Sequence, residues 1–320
     1  MADPAQSSQS ARVVRALFFG SGRFGLPSLE VLTSMPDISL VGVVSAPDQP
    51  AGRHGRLSPT PVSARARELG LTLLQPARVR SDESLAVLCV LAPDLILLAD
   101  YGQIIPHALL ELPPRGFLNL HPSALPRHRG AAPIPATILA GDHTSAVSLI
   151  ILTEKLDAGP IVASAPLAVR DDDTAVSLEE RAAAVGAELI RRSLRDWLAG
   201  RLTPHAQATI GVTLTRPLRR AQGLLDPSLG ALVLARQVRA YQPWPGSFLE
   251  TTAGHLIVWR ACVEESLPDD AVGEIVATSN GGLALATSAG RLVLEELQLA
   301  GGRAMSGAQL RRGHSRLTLP

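Results

Sequence analysis

The sequence predicts an α/β protein, with a mostly parallel sheet covered by helices followed by a smaller antiparallel β-barrel. Three observations predict it. From residue 13 to about residue 200, apolar runs of strand length alternate with helix-period segments. A long amphipathic segment and a proline-bearing stretch without periodicity then close that part. Beyond about residue 222 the texture changes to short β-rich segments separated by glycine turns. A chain of 320 residues at 46% hydrophobic is long enough for one large or two ordinary domains with real cores.

Residues 1–12 are polar and Ser-rich with no apolar h-region, so they are expected to form a disordered tail, with the ordered chain starting near Val13 in the cytoplasm. Residues 13–19 and 38–45 are expected as the first two strands. Between them residues 27–34 suit a short helix with Pro27 in its first turn. Residues 95–99, 117–120 and 147–152 are further apolar runs of strand length. Over residues 174–198, Leu178, Ala182, Val185, Leu189, Ile190, Leu194 and Trp197 recur at helical spacing, with Asp173 as cap and Gly200 as stop. Residues 201–221, with Pro204 and Pro217, read as a linker. Five β-rich segments follow, at 248–251, 256–263, 273–277, 283–287 and 291–297, a number that suits a small antiparallel barrel. The expected division is thus tail 1–12, first domain 13–200, linker 201–221 and second domain 222–320.

Composition excludes several classes. The longest apolar stretch, residues 85–98, is interrupted by Pro93 and Asp94 and falls short of the roughly 18 residues of a bilayer span. The net charge of +1 argues against a strongly basic nucleic-acid module. Cys89 and Cys262 stand far apart in apolar runs, which suits two buried thiols and offers no metal site.

Gly20, Gly22 and Gly25 form G-x-G-x-x-G between a strand and a helix, with Asp48 downstream, a pattern that by itself reads as dinucleotide binding. Pro27 follows almost at once, and the alternative, a glycine turn required for tight strand-to-helix packing, is preferred.

The more specific constellation lies between residues 117 and 159. Asn119 and His121, two apart on a strand, share one face, while Leu118 and Leu120 take the other. A carboxamide and an imidazole at a strand's carboxyl end can donate to an oxyanion and move a proton near neutral pH. Asp157, in a glycine-containing turn 36 residues on, can orient the ring or support its charge. Each residue alone is equally compatible with an ordinary structural role, and the combination is what argues for chemistry.

Asn119-x-His121-x-Ser123-x-Leu125-Pro126-x-x-Arg129-Gly130, followed by Leu156-Asp157-x-Gly159, resembles the active-site signature of the folate-dependent formyltransferases. The resemblance extends over nearly the whole chain, including residues 99–102, 130–134 and 241–246. The insertion at residues 47–62 narrows it to the branch that acts on methionyl-tRNA. Departures are Pro122 for a usual glycine, His128 for a frequent tryptophan, Leu225-Asp226-Pro227 for a usual Ile-Asp-Trp, and Gly55-Arg56 for a lysine pair. The resemblance implies a Rossmann-like formyltransferase domain and an OB-like C-terminal barrel that binds tRNA. It implies catalysis by Asn119, His121 and Asp157, a folate held along Ser123, Ala124, Leu125 and Pro126, and 10-formyltetrahydrofolate as cosubstrate without a metal. It further implies that a monomer recognises the acceptor stem of methionyl initiator tRNA, with Arg53 and Arg56 at its end and C-terminal arginines such as Arg236 and Arg239 on its backbone. A relative that formylates a sugar-nucleotide amine, or one that releases formate, shares the same three residues and is the principal alternative.

Overall fold

The computed structural model describes residues 13–51, 56–314 and 317–319. The chain divides into two compact units. The first runs to Arg129 and includes Ala146–Leu167 and Glu179–Thr213; the second holds Gly130–Ser145, Ala168–Leu178 and Leu214–Pro320.

The first unit is built on strands β1 (Val14–Phe19), β2 (Ile38–Val44), β5 (Leu73–Leu74), β6 (Leu95–Leu98), β7 (Phe117–His121), β8 (Thr144–Ile151) and β9 (Ile161–Ala168). The short strands β3 (Gln49–Ala51) and β4 (Arg56–Ser58) form a separate pair. The seven-stranded order is β9-β8-β7-β6-β1-β2-β5. Its five strands from β7 to β5 pair in parallel, and β8 runs antiparallel to β7. Parallel strands are covered on both faces, and this explains the continuous apolar runs of β1 and β6, where Ala16 through Phe19 and Leu95 through Leu98 are all buried. On one face Leu17, Phe19, Ile96, Leu98, Tyr101 and Phe117 belong to a single core, with the Phe19 and Tyr101 rings edge-on at 5.3 Å.

The expected first helix forms as α1 (Leu26–Ser34), with proline in its first turn. Two further helices precede β6, α2 (Pro61–Glu68) and α3 (Asp82–Val90), each capped by a hydroxyl: Thr60 accepts from the Ser63 N–H and Ser81 from the Ser84 N–H. The long helix spans Ala175–Leu198. Its cap is Thr174, whose hydroxyl accepts from the Ser177 N–H at 3.3 Å; the expected cap, Asp173, sits one residue early and holds the Ser177 hydroxyl instead. Cys89 and Cys262 are exposed, contrary to expectation. In α3 Leu88 is the buried residue and its neighbour Cys89 points away, while irregular pairing of residues 258–261 with the facing strand ends the inward alternation before Cys262.

The glycine fingerprint is a packing device. A Cβ on Gly20 or Gly25 would come 2.8 Å from the Ala99 carbonyl oxygen, and one on Gly22 would overlap the Asp100 carboxylate at 1.6 Å. The turn after β1 is drawn against the end of β6, where the Ser21 N–H donates to the Asp100 carbonyl at 2.8 Å.

The second unit contains an antiparallel sheet of Ser247–Thr251, Gly254–Glu264, Arg291–Leu299, Leu283–Ala286 and Ile275–Ala277 in that spatial order, with Met305–Ser306 added to the third. The five expected segments are all present. Among the described residues, however, the pairing runs from one edge to the other without returning, so the ladder is an open sheet and the closed barrel is not found. Two helices missed in the sequence, Ala231–Ala240 and Gly307–Gly313, supply Leu234, Val238 and Leu310 to the core under it.

Candidate active site

The chemistry-bearing residues sit where β7 and the β8–β9 turn end. Alternation along β7 places Leu118 and Leu120 on one face and Asn119 and His121 on the other. Leu120 is covered by the long helix, and Gly186 is what lets that helix lie so near, since a Cβ there would come 2.6 Å from Leu120 Cδ2. The strand end is therefore fixed by packing on its far face.

Asp157 is delivered by a turn whose geometry explains the Leu-Asp-x-Gly motif. Its own backbone is left-handed, with φ 45°. Gly159 approaches β8 so closely that a Cβ would lie 1.8 Å from the Ile151 carbonyl oxygen, so only glycine fits. The structure brings Asn119, His121 and Asp157 together, at 6%, 5% and 8% exposure. Asn119 Nδ2 donates to Asp157 Oδ1 at 3.2 Å, and His121 Nδ1 stands 3.7 Å from Asp157 Oδ2.

The other imidazole nitrogen, Nε2, lies 3.0 Å from the carbonyl oxygen of His128. A carbonyl only accepts, so Nε2 carries the hydrogen and Nδ1 is the position that takes up or releases a proton beside Asp157. Burial pulls the His121 pKa below its usual 6.5; the Asp157 charge and the His128 carbonyl offset this only in part. The ring is thus held neutral near pH 7, as a base with a carboxylate positioned to support its charged form. Asn119 uses one amide hydrogen on Asp157 and retains a second donor.

The loop after β7 is closed from within. Ser123 is fully buried; its hydroxyl donates to the Arg127 carbonyl at 2.7 Å, and the Ser148 hydroxyl donates to the Ser123 carbonyl at 2.8 Å. Of the four residues expected along the folate, Ser123 therefore shapes the loop, while Ala124, Leu125 and Pro126 are half-buried and present its outer edge. The Tyr101 hydroxyl, at the end of β6, is buried without a hydrogen-bond partner among the described residues. The spare amide donor of Asn119 and the base His121 with its carboxylate are chemically suited to the formyl group of a formylated folate.

Arg53 lies outside the described residues. Arg56 is exposed on β4, which pairs antiparallel with β3 within the insertion at residues 47–62. In the second unit Arg216, Arg219, Arg220, Arg311 and Arg312 are exposed. Arg239, by contrast, is half-buried and donates to the Asp173 carbonyl at 2.7 Å. Among the described residues no group of three or more His, Cys, Asp or Glu could hold a metal. Sequence reasoning missed three contributors to the site: the His128 carbonyl, Gln207 and Thr213. The last two lie in a stretch without periodicity, where spacing carries no signal.

Comparison with known proteins agrees with this architecture. Residues 14–194 match the formyl transferase family and residues 217–315 the formyl transferase C-terminal domain. The chain is 40% identical over 301 residues to the methionyl-tRNA formyltransferase of Halorhodospira halophila, covering 93% of this chain and 96% of that protein. It is 38% identical over 300 residues to that of Roseiflexus castenholzii, covering 94% and 96%. Among solved structures, the N-formyltransferase from Helicobacter canadensis in complex with folinic acid and dTDP-3-aminofucose superposes with a TM-score of 0.63 at 12% identity, covering 88% of this chain and 98% of that one. HypX from Aquifex aeolicus in complex with tetrahydrofolic acid gives 0.60 at 17%, covering 93% of this chain and 47% of that one. At those identities the two structures establish a shared fold.

Proposed function

The chain belongs to the formyl transferase family, and on that premise we propose that it transfers the formyl group of 10-formyltetrahydrofolate to the α-amino group of methionyl initiator tRNA. The observation that carries the chemistry is the buried Asn119–Asp157–His121 cluster at the end of β7. The substrate follows from similarity at 38–40% identity to methionyl-tRNA formyltransferases over almost their full length.

The reaction needs a donor for the charge that develops on the formyl oxygen and a station for one proton between the attacking amine and the leaving folate nitrogen. Asn119 supplies the first through its unused amide hydrogen, a preorganised contact worth about 3 kcal/mol. His121 supplies the second at Nδ1, and Asp157 stabilises the imidazolium while the proton resides there. Esterification lowers the amine's pKa, so the nucleophile is already present near neutral pH. The bound cosubstrate supplies the activated formyl group; the loop of Ser123, Ala124, Leu125 and Pro126 is its proposed binding edge.

Arg53 and Arg56, on the insertion after β2, are proposed to meet the acceptor end of the tRNA, and the exposed C-terminal arginines its backbone. The family matches end and resume at residues 194 and 217, which supports a catalytic domain 13–200 and a tRNA-binding domain 222–320; of the linker expected at 201–221, residues 201–213 belong to the first compact unit. Action as a monomer in the cytoplasm is part of the same proposal. Among the described residues no helix is long and apolar enough to cross a membrane.

Incubation with labelled 10-formyltetrahydrofolate and methionyl initiator tRNA tests the proposal. Label should appear on the methionine amine only when charged tRNA is present. Formate released equally without tRNA, or label passing to a sugar-nucleotide amine in preference, would overturn it.

A further inference from the structure

Residues 201–213, which follow the long helix, form no helix and pass beside both halves of the catalytic cluster with a bend at 209–211. His205 exchanges backbone hydrogen bonds with Ile161, the first residue of β9, at 2.8 and 3.0 Å. Two residues on, the Gln207 side chain uses every hydrogen-bonding position it has. Its Nε2 donates to the carbonyls of Asp157 at 2.7 Å and Gly159 at 2.8 Å. Its Oε1 accepts from Arg129 Nε at 3.0 Å and Nη2 at 2.7 Å. A guanidinium only donates and the two carbonyls only accept, so the orientation of this amide has no alternative. At the far end of the segment, Thr213 Oγ1 accepts from the His128 N–H at 2.7 Å, and the Thr213 carbonyl accepts from the Arg129 N–H at 3.0 Å.

These contacts fall on the two backbone positions that set the catalytic groups. Asp157, φ 45°, and His128, φ 58°, both hold the left-handed conformation that side chains other than glycine resist. Such a conformation persists only where its surroundings over-determine it. Gln207 ties down the turn at the Asp157 carbonyl and again two residues on, at Gly159. Thr213 ties down the residue whose carbonyl fixes the His121 tautomer.

The geometry points to Gln207 and Thr213 as positioning residues for the reaction: Gln207 sets the Asp157 carboxylate against the His121 ring, and Thr213 sets the His128 carbonyl that holds Nε2–H. Neither touches the reacting atoms. The assignment rests on the formyl-transfer reading for its effect on rate, but the positioning itself is a property of the free protein.

Two readouts test it on the full-length chain. In the free protein the charged and titratable groups facing the His121 ring are Asp157 and the His128 side chain. NMR titration of the ring therefore reports Asp157 and the His128 carbonyl directly. Gln207→Met keeps the length and adds no charge but cannot donate to either carbonyl; Thr213→Val keeps the shape and loses the acceptor. Both should lower the His121 pKa, because each loosens a group that favours the charged ring, and Thr213→Ser should restore it. With 10-formyltetrahydrofolate and methionyl-tRNA, both variants should lose about a hundredfold in kcat, with KM for each substrate within about twofold. A folded variant with the wild-type His121 titration overturns the assignment whatever its activity. Absence of formyl transfer in the wild type, with the titration shifts present, overturns the reading of function and leaves the positioning intact. Should either variant fail to fold, Gln207→Leu and Thr213→Ala are read by the same titration.

Discussion

His121 is buried as a neutral ring, and that state makes a prediction about stability that needs no substrate. Its folded pKa lies below the usual 6.5, so as pH falls past about 6.5 the unfolded chain binds a proton that the folded chain does not. The corresponding stability is present above that value and is lost as pH falls toward the folded pKa. His121→Gln lacks this component. In urea unfolding, the advantage of wild type over His121→Gln should shrink between about pH 7.5 and about pH 5; a pH-independent difference would mean that the ring is not held neutral. Asn119 and His121 were legible in the sequence because alternation on one short strand puts them on one face, and Asp157 because glycine follows it at a fixed distance. Gln207, Thr213 and the His128 carbonyl were not. Gln207 and Thr213 join side chains to backbone atoms 48 to 85 residues away, which leaves no period to read, and the His128 carbonyl is a backbone atom that no residue type encodes. The cysteines were misread because an apolar run does not say which of its residues faces out.

At the level of elements, the β8–β9 turn and the β3–β4 hairpin carry separate predictions. Gly159→Ala sets a methyl group against the Ile151 carbonyl, a backbone atom that cannot step aside, so the turn must shift. The expected cost is about 1–3 kcal/mol in urea unfolding. Because Asp157 moves with the turn, kcat should fall while KM for folate changes little. Arg56 stands exposed on the hairpin, and Arg56→Ala should weaken use of methionyl-tRNA without affecting folate affinity. If it meets a phosphate, the log–log salt slope of tRNA binding becomes shallower by roughly 0.7 to 0.9. An unchanged slope would remove Arg56 from the tRNA interface. The parallel strands were legible because burial on both faces makes them continuous apolar runs. The hairpin was not, since its three-residue strands include Pro50 and have no buried face in β4. The C-terminal segments were legible as strands, but closure depends on how the first meets the last, and local pattern does not contain that. The helix at Ala231–Ala240 did leave a signal: Ala231, Leu234, Ala235 and Val238 recur at helical spacing and all are buried.

For the whole molecule, the carboxyl end of one interior strand and a neighbouring turn hold the cluster and the second unit is matched to the family's C-terminal domain, so formyl transfer is proposed for a single cluster within the first unit. Everything proposed for the remaining residues, from the folate loop to the tRNA-facing arginines, serves to bring two substrates to Asn119, His121 and Asp157. The most direct test is the single-turnover rate of formyl transfer from 10-formyltetrahydrofolate to methionyl initiator tRNA, compared between wild type and Asn119→Ala with folate and tRNA both saturating. The account predicts N-formylmethionyl-tRNA from the wild type and a rate lower by about 10²–10³ in the variant, with unchanged folate affinity. A variant that transfers formyl at nearly the wild-type rate would contradict it.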